Sequence, residues 1–186
     1  MNALLEVSAH EQILSAARER FRRYGYNKTT MAEIAGDCRM SAANLYRYFA
    51  NKQDIAAHLA ARCLGEEEAR LHAVAVAAPV PASEGLAHYI TETLACTYER
   101  CASDPLINQV VEAIGRERRD VIDAHTKVKL GQIATLLERG IASEEFDTVD
   151  VRETAEAILA ATVLFDVPLL VQMYAKEELE RVALNV

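Results

Sequence analysis

The chain is predicted to be all-α: a three-helix helix-turn-helix head at the N-terminus followed by a helical bundle, about nine helices in total. Three observations carry that expectation. Hydrophobic residues make up 51% of the sequence, and only seven Gly and four Pro interrupt its 186 residues, a mixture that favours helix almost throughout. Apolar residues recur at three- and four-residue spacings along most of the chain, the period of one helix face. Helix-start residues, often with an acid three positions on, stand at the heads of these runs. The head is assigned to residues 1–55 and the remaining helical domain to 56–186.

Ser8-Ala9-His10-Glu11 reads as a capping box, which ties up free N–H groups at a helix start. The helix that follows runs to about Tyr24, with Ile13, Leu14, Ala17 and Phe21 on one face. Arg18, Arg22 and Arg23 point elsewhere, either as a solvated basic face or toward a phosphate backbone. Gly25 stops this helix, and residues 26–28 connect it to the next. Thr30-Met31-Ala32-Glu33 is a second capping box, opening a short helix whose apolar side is Met31, Ile34 and Ala35. Ser41 then caps another short helix in which Leu45 and Phe49 lie four apart. Two helices of about two turns each cannot stand alone and must lean on a third. Ser41, Asn44, Arg47 and Tyr48 are left free on the polar side of the second. That is what a reader of the DNA major groove requires. Asn51 caps the next helix and puts Lys52 in its first turn, where the helix N-terminus already favours an anion.

These residues also reach a family. The run from Ile34-Ala35 to Met40-Ser41-Ala42-Ala43-Asn44-Leu45-Tyr46-Arg47-Tyr48-Phe49-Ala50-Asn51-Lys52 resembles the tetracycline-repressor (TetR) family of bacterial transcription regulators. The family pattern, T-x-x-x-I-A-x-x-x-G-V-S-x-x-x-L-Y-x-[HY]-F-x-x-K, is matched at Thr30, Ile34, Ala35, Ser41, Leu45, Tyr46, Tyr48, Phe49 and Lys52. It is broken at Arg39, which replaces the glycine of the turn and would hold a positive φ at a cost of roughly 1 kcal/mol. The resemblance covers about the first 60 residues. It implies a repressor that binds a palindromic operator as a homodimer and is released by a small-molecule effector. Ser41, Ala42, Asn44 and Arg47 are expected at base edges, since Asn suits adenine, Arg guanine and an Ala methyl the thymine methyl. By resemblance Thr30, Tyr46, Tyr48 and Lys52 are expected on phosphates, with Arg39 within reach of another.

The net charge of −8 is at odds with DNA binding until it is divided. Residues 1–55 hold eight Lys and Arg against six Asp and Glu, or +2, which leaves −10 on the remaining 131 residues. Phosphate responds to the field within a Debye length of about 10 Å, not to the total. Apolar stretches reach about ten residues, short of the roughly 20 that span a bilayer, and no leader is evident in the first eight. The expectation is a soluble cytoplasmic protein without a membrane partner.

In the larger domain the fourth helix continues towards Ala77 and is ended by Pro79-Val80-Pro81. A helix opens at Ser83 and runs to about Ala102, with Leu86, Ile90, Leu94 and Tyr98 at four-residue spacing. A short helix covers Leu106 to Ile114, a long one Arg116 to about Ala142, and a last major one Val151 to about Tyr174, kinked at Pro168. A tail helix follows from Lys176 to Ala183. The family resemblance implies an enclosed ligand, for which His88, Tyr89, Cys96, Tyr98, Asn108, His125, Phe165 and Met173 are the candidates; each also fits plain core or surface. It implies a dimer through the last two long helices, with Leu130, Ile133, Leu137, Ala155, Ile158 and Thr162 as candidate interface residues and the small Ala155, Ala157, Ala160 and Ala161 allowing close packing.

No catalytic motif is found, neither H-E-x-x-H nor G-x-S-x-G nor a phosphate-binding glycine loop. Neither a cofactor nor a metal is expected. Cys38, Cys63, Cys96 and Cys101 form no C-x-x-C pair and read as reduced thiols, with Cys38 open to a redox role by its place in the reading turn. Glu68 and His72 are a possible metal half-site, but Glu66-Glu67-Glu68 reads as a solvated face. Two other classes stay open: a small helical enzyme or ligand carrier with a vestigial head, and an adaptor whose head meets protein.

Overall fold

The computed structural model describes residues 8–104, 106–147 and 150–185. Among them it has eleven α-helices, one π-helical segment and no strand. In chain order the helices are α1 (Ala9–Tyr24), α2 (Met31–Asp37), α3 (Ala42–Leu45), α4 (Lys52–Leu71), α5 (Ala82–Ser103), α6 (Ile107–Glu117), α7 (Arg119–Ala142), α8 (Val151–Ala161), α9 (Val163–Asp166), α10 (Pro168–Val171) and α11 (Lys176–Ala183). The π segment, His72–Val76, follows α4 directly.

The chain divides into two compact units. One gathers the described residues of Met1–Arg62 and Pro105–Arg119, the other those of Cys63–Asp104 and Asp120–Val186. The first unit thus extends past residue 55 and takes in α6. The reason is local chemistry: the Asn27 amide donates to Gln109 Oε1 on α6 at 3.1 Å, and Arg118 reaches Asp54 at 3.4 Å. Gly25 ends α1 with φ +87°, and a Cβ there would lie 2.7 Å from the same Gln109 oxygen. The backbone therefore requires glycine there, and a Cβ would also push the Gln109 amide aside.

The core of this unit follows the sequence pattern. Ile13, Leu14, Ala17 and Phe21 of α1 are buried, as are Met31, Ile34 and Ala35 of α2, and Leu45 and Phe49 after them. His10 and His58 pack on Phe49, with ring centroids 4.7 and 5.2 Å away.

The second unit holds two apolar clusters. One joins Leu71, Ala75, Tyr89, Ile133, Leu136, Leu137 and Ala155; the other joins Ile90, Leu94, Phe165, Val171, Leu179 and Ala183. This corrects four of the six expected dimer residues, since Leu130 and Ile158 stay only partly buried. Ile133, Leu137 and Ala155 lie inside a single protomer's core, Leu130 and Ile158 pack against it, and Thr162 is buried. The stripe of α7 that the apolar spacing marks, at positions 133, 136, 137 and 140, is turned inward by this packing.

Three helix boundaries also differ from the sequence expectation. The long helix into residue 142 begins at Arg119, because Arg118 leaves helical geometry at φ −132°, ψ 55°. The fourth helix ends at Leu71 and widens into the π segment, whose Val76 carbonyl is taken by Arg139 Nη1 at 2.9 Å. The last major helix is three helices. Thr162 turns its hydroxyl back on the Ile158 carbonyl at 2.8 Å, and Val167, held extended at ψ 115°, precedes Pro168 as that ring demands.

Ser83 was expected to open α5. Its N-terminus is instead capped from 62 positions away: Glu145 accepts from the amides of Ala82 and Ser83, both at 3.0 Å, and from the Ser83 hydroxyl at 2.8 Å. These donors hold the Glu145 carboxyl far below its ordinary value, at about 2. A depressed carboxylate stabilises above its unfolded value and loses that contribution as pH falls through the folded one. Glu145→Gln should therefore lower the denaturant midpoint at neutral pH, and the gap from wild type should close between pH 4.5 and about 2. Urea titrations of both proteins across that range make the check; a gap independent of pH would contradict it.

Candidate nucleic-acid interface

The reading elements are α2, the turn after it, and α3. The capping box that opens α2 is complete: Thr30 Oγ1 accepts from the Glu33 amide at 3.3 Å, while Glu33 Oε2 accepts from the Thr30 amide at 2.8 Å. Arg20 on α1 fixes the other end of α2 by a two-pronged pair with Asp37 at 2.6 and 3.0 Å. That guanidinium holds the Asp37 carboxyl below the usual carboxylate range. The turn itself closes as a helix C-terminal motif, with the Met40 amide on the Ala35 carbonyl and the Arg39 amide on that of Gly36, both at 3.0 Å. Such a motif asks its outer residue for the left-handed region. Arg39 sits there with φ 55°, as its place in the glycine position predicts.

Ser41 caps α3 through its hydroxyl, which accepts from the Asn44 amide at 3.2 Å. Helical turns continue beyond α3, with the Tyr46 amide on Ala42 and the Phe49 amide on Leu45. Leu45 and Phe49 are fully buried, whereas Tyr46 is 54% and Tyr48 43% exposed. Core packing is thereby ruled out for both tyrosines. Thr30, Arg39, Ser41 and Arg47 are exposed as well, and Ala42 and Asn44 half-buried. The sequence-derived DNA set, Lys52 apart, therefore gathers on the outside of α2 and α3.

Residues 13–59 match the family described as "Bacterial regulatory proteins, tetR family", and residues 82–186 match "Tetracyclin repressor-like, C-terminal domain". The chain belongs to the TetR family. It is a DNA-binding transcriptional regulator. Over 52 residues, 28% of this chain, it is 42% identical to the HTH-type transcriptional regulator HbdR of Aromatoleum sp. (strain CIB), a match spanning 22% of that relative's length. The fold is similar to the transcriptional regulator FadR from Bacillus subtilis in complex with stearoyl-CoA, with a TM-score of 0.70 and 25% identity over 94% of this chain and 95% of that one. A TetR/AcrR-family regulator from Thermobifida fusca gives 0.67 and 22%, over 95% and 96% of the two chains.

Against this TetR-family background the candidate ligand residues of the second unit scatter. Tyr89, Cys96, His125 and Phe165 are buried, and Tyr98 is half-buried with the Lys176 ammonium 5.7 Å from its ring centre. Three expectations need correcting. His88 faces outward beside Glu84 at 3.8 Å, since the buried stripe of α5 runs through Tyr89, Ile90, Thr93, Leu94 and Thr97. Met173 is 68% exposed, because α10 ends at Val171 and the helical period stops before it. Asn108 lies on α6 in the first unit.

The sequence reading missed the charged interior of the second unit. Glu67 and Lys129 are buried; Glu67 pairs with Arg100, and Lys129 bonds Asp166 at 2.9 Å. Of Glu66-Glu67-Glu68 only Glu66 is exposed, since Glu67 is buried and Glu68 bonds His125 at 2.6 Å. The available signal was spacing: His125 and Lys129 stand eight and four residues before Ile133, on the inward stripe of α7. Cys38 is half-buried, and burial pushes its thiol up, away from the reactive thiolate.

Lys52 requires the clearest correction within the DNA set. Its ammonium donates inward to the carbonyls of Tyr26 at 2.8 Å and Thr29 at 2.9 Å, and stands 4.3 Å from the Tyr26 ring centre. Burial lowers its pKa, with Glu117 and Glu33 pulling the other way. It fastens the connector between α1 and α2 to the start of α4, and two of its three donors are spent there. Lys52→Met should cost the protein about 1–3 kcal/mol, the range for leaving such acceptors unpaired, read by urea unfolding. The salt dependence of DNA binding should keep its slope; a drop of about one unit would return Lys52 to the phosphate contacts.

Proposed function

We propose that the protein is a homodimeric repressor that reads a palindromic operator through α3 and is released by a small molecule held in its second unit. The observation carrying this reading is the division of the Ser41–Phe49 segment, with Leu45 and Phe49 fully buried while Tyr46, Arg47 and Tyr48 stand out of the surface. A buried anchor with exposed polar neighbours suits a helix presented to a groove. In this reading Ser41, Ala42, Asn44 and Arg47 meet base edges, and Thr30, Arg39, Tyr46 and Tyr48 meet phosphate. Lys52 positions them.

The stearoyl-CoA complex of the FadR neighbour supports a small-molecule effector, which this reading assigns to the second unit. Release then requires the effector to bind the non-reading state better than the reading one. The chain acts as a binding protein in the cytoplasm and not as an enzyme. No helix among the described residues is long and apolar enough to cross a membrane.

Dimerisation is assigned to the outward sides of α7 and α8. With 125, 129, 133, 136 and 137 inward, α7 exposes Val128, Gly131 and Thr135, while α8 exposes Ala157, Ala160 and Ala161. Small residues at helical spacing let two backbones approach. Ala160→Arg should raise the dimer dissociation constant by at least about tenfold, read by analytical ultracentrifugation, with helix content unchanged. An unaltered dimer would remove this face from the assignment.

A gel-shift titration against the DNA flanking its own gene, with random competitor, tests the regulatory reading. Asn44→Ala should relax discrimination at one or two base pairs by about 1–3 kcal/mol. Equal losses on specific and random DNA would take Asn44 off the base edges.

A further inference from the structure

The charges gathered around the buried Glu67 and Lys129 do not balance as a set of ion pairs. Glu67, Glu68 and Asp166 meet Arg100 and Lys129, which leaves one carboxylate in excess around a buried imidazole. Burying charge without a partner is costly, so this arrangement asks for a further cation.

One donor atom from each of Glu67, His125 and Asp166 lies within 4.8 Å of the other two. Glu67 is 4% and His125 8% exposed, and both Glu67 Oε1 and His125 Nε2 lack a hydrogen-bond partner. The opposite ring nitrogen, Nδ1, is 2.6 Å from Glu68 Oε1. A carboxylate on that side takes the N–H and leaves the lone pair on Nε2. Carboxylate, histidine and metal in sequence form a recurrent arrangement, in which the outer carboxylate sets the tautomer and raises the basicity of the ring.

We propose that Glu67, His125 and Asp166 bind one divalent transition-metal ion, zinc or a first-row neighbour, with Glu68 orienting His125. One imidazole and two carboxylates suit such an ion, at about 2.0–2.2 Å from each donor. The side chains must close by roughly 1 Å to reach that geometry, and helix side chains have the rotamers to do so. Lys129 is the built-in competitor. Its ammonium stands 2.9 Å from Asp166 and 3.9 Å from Glu67 Oε1, a tethered monovalent cation on two of the three metal ligands. An entering dication displaces it from these carboxylates.

The test is calorimetric titration of zinc chloride into the chelator-treated full-length protein, without DNA, so that its outcome is separate from that of the operator experiment. One saturable equivalent is expected. Glu68→Gln, which removes no ligand, should weaken it about 10–100-fold, and His125→Gln by at least as much. Lys129→Met should bind more tightly, and its melting temperature should rise more on adding zinc than that of wild type. Circular dichroism of each variant establishes that it is folded, and Asp166→Asn replaces His125→Gln if the latter is not. Cobalt(II) in place of zinc should give visible d–d bands without the near-ultraviolet charge transfer of thiolate ligation. The proposal is overturned if binding is absent, if Glu68→Gln and the ligand variants bind as wild type does, or if cobalt reports thiolates.

Discussion

A four-residue helix has no stability of its own, and the first unit is built around that constraint. Forming a first helical turn fixes about six backbone angles for one hydrogen bond. The geometry of α3 must therefore be imposed from outside. Leu45 and Phe49 anchor it below, where His10 and His58 close over the Phe49 ring. The Ser41 hydroxyl satisfies one of its free amides, that of Asn44, and Arg20 holds the preceding helix by both prongs of its guanidinium. Lys52 fastens the connector behind it. Tyr46, Arg47 and Tyr48 carry none of this work, so they are free to differ between regulators that share the scaffold.

The second unit is organised differently. Its two apolar clusters carry the packing, but charged groups are set into the inward stripes of α4, α5 and α7. A buried carboxylate or ammonium is weak evidence for stability, since removing it from water offsets most of what its partner returns. Glu67, Arg100 and Lys129 are more informative as constraints on what can enter. A purely apolar ligand would meet them at a desolvation cost, whereas a cation or a molecule with hydrogen-bond donors would meet a ready partner.

The head was legible in the sequence to near residue level, because its signals are local. The caps at Ser8 and Ser41, the Thr30–Glu33 capping box, the Leu45–Phe49 spacing and the non-glycine turn at Arg39 each act within five residues, and the structure returns them, although the box expected at Ser8–Glu11 forms only its Ser8 half. What the sequence hid depends on distant partners. Nothing in Asn51-Lys52-Gln53-Asp54 says that the ammonium will turn back on Tyr26 and Thr29. Nothing near Ser83 foretells a cap from Glu145. The candidate dimer residues failed for a related reason: Ile133, Leu137 and Ala155 satisfy a helical spacing that one protomer's core and a partner's surface would both produce. Pro168 did announce a break, but the second one, at Thr162, lies in a side chain bonding its own backbone, which leaves no periodic trace.

The contact of Gln109 with the Gly25–Asn27 connector bears on how regulators of this kind exchange parts. The prop for the reading head is encoded 82 positions downstream of the amide it receives, on the far side of a segment that belongs to the other unit. A recombination event joining one gene's first 60 codons to another's remainder would transfer the reading helix without its own α6. The recipient would then need, by chance, a residue able to fill the space beside Gly25 and accept the Asn27 amide. Heads in this architecture are thus less portable than their compactness suggests, and inherited change in DNA preference should proceed more readily by substitution on α3 than by shuffling of whole heads.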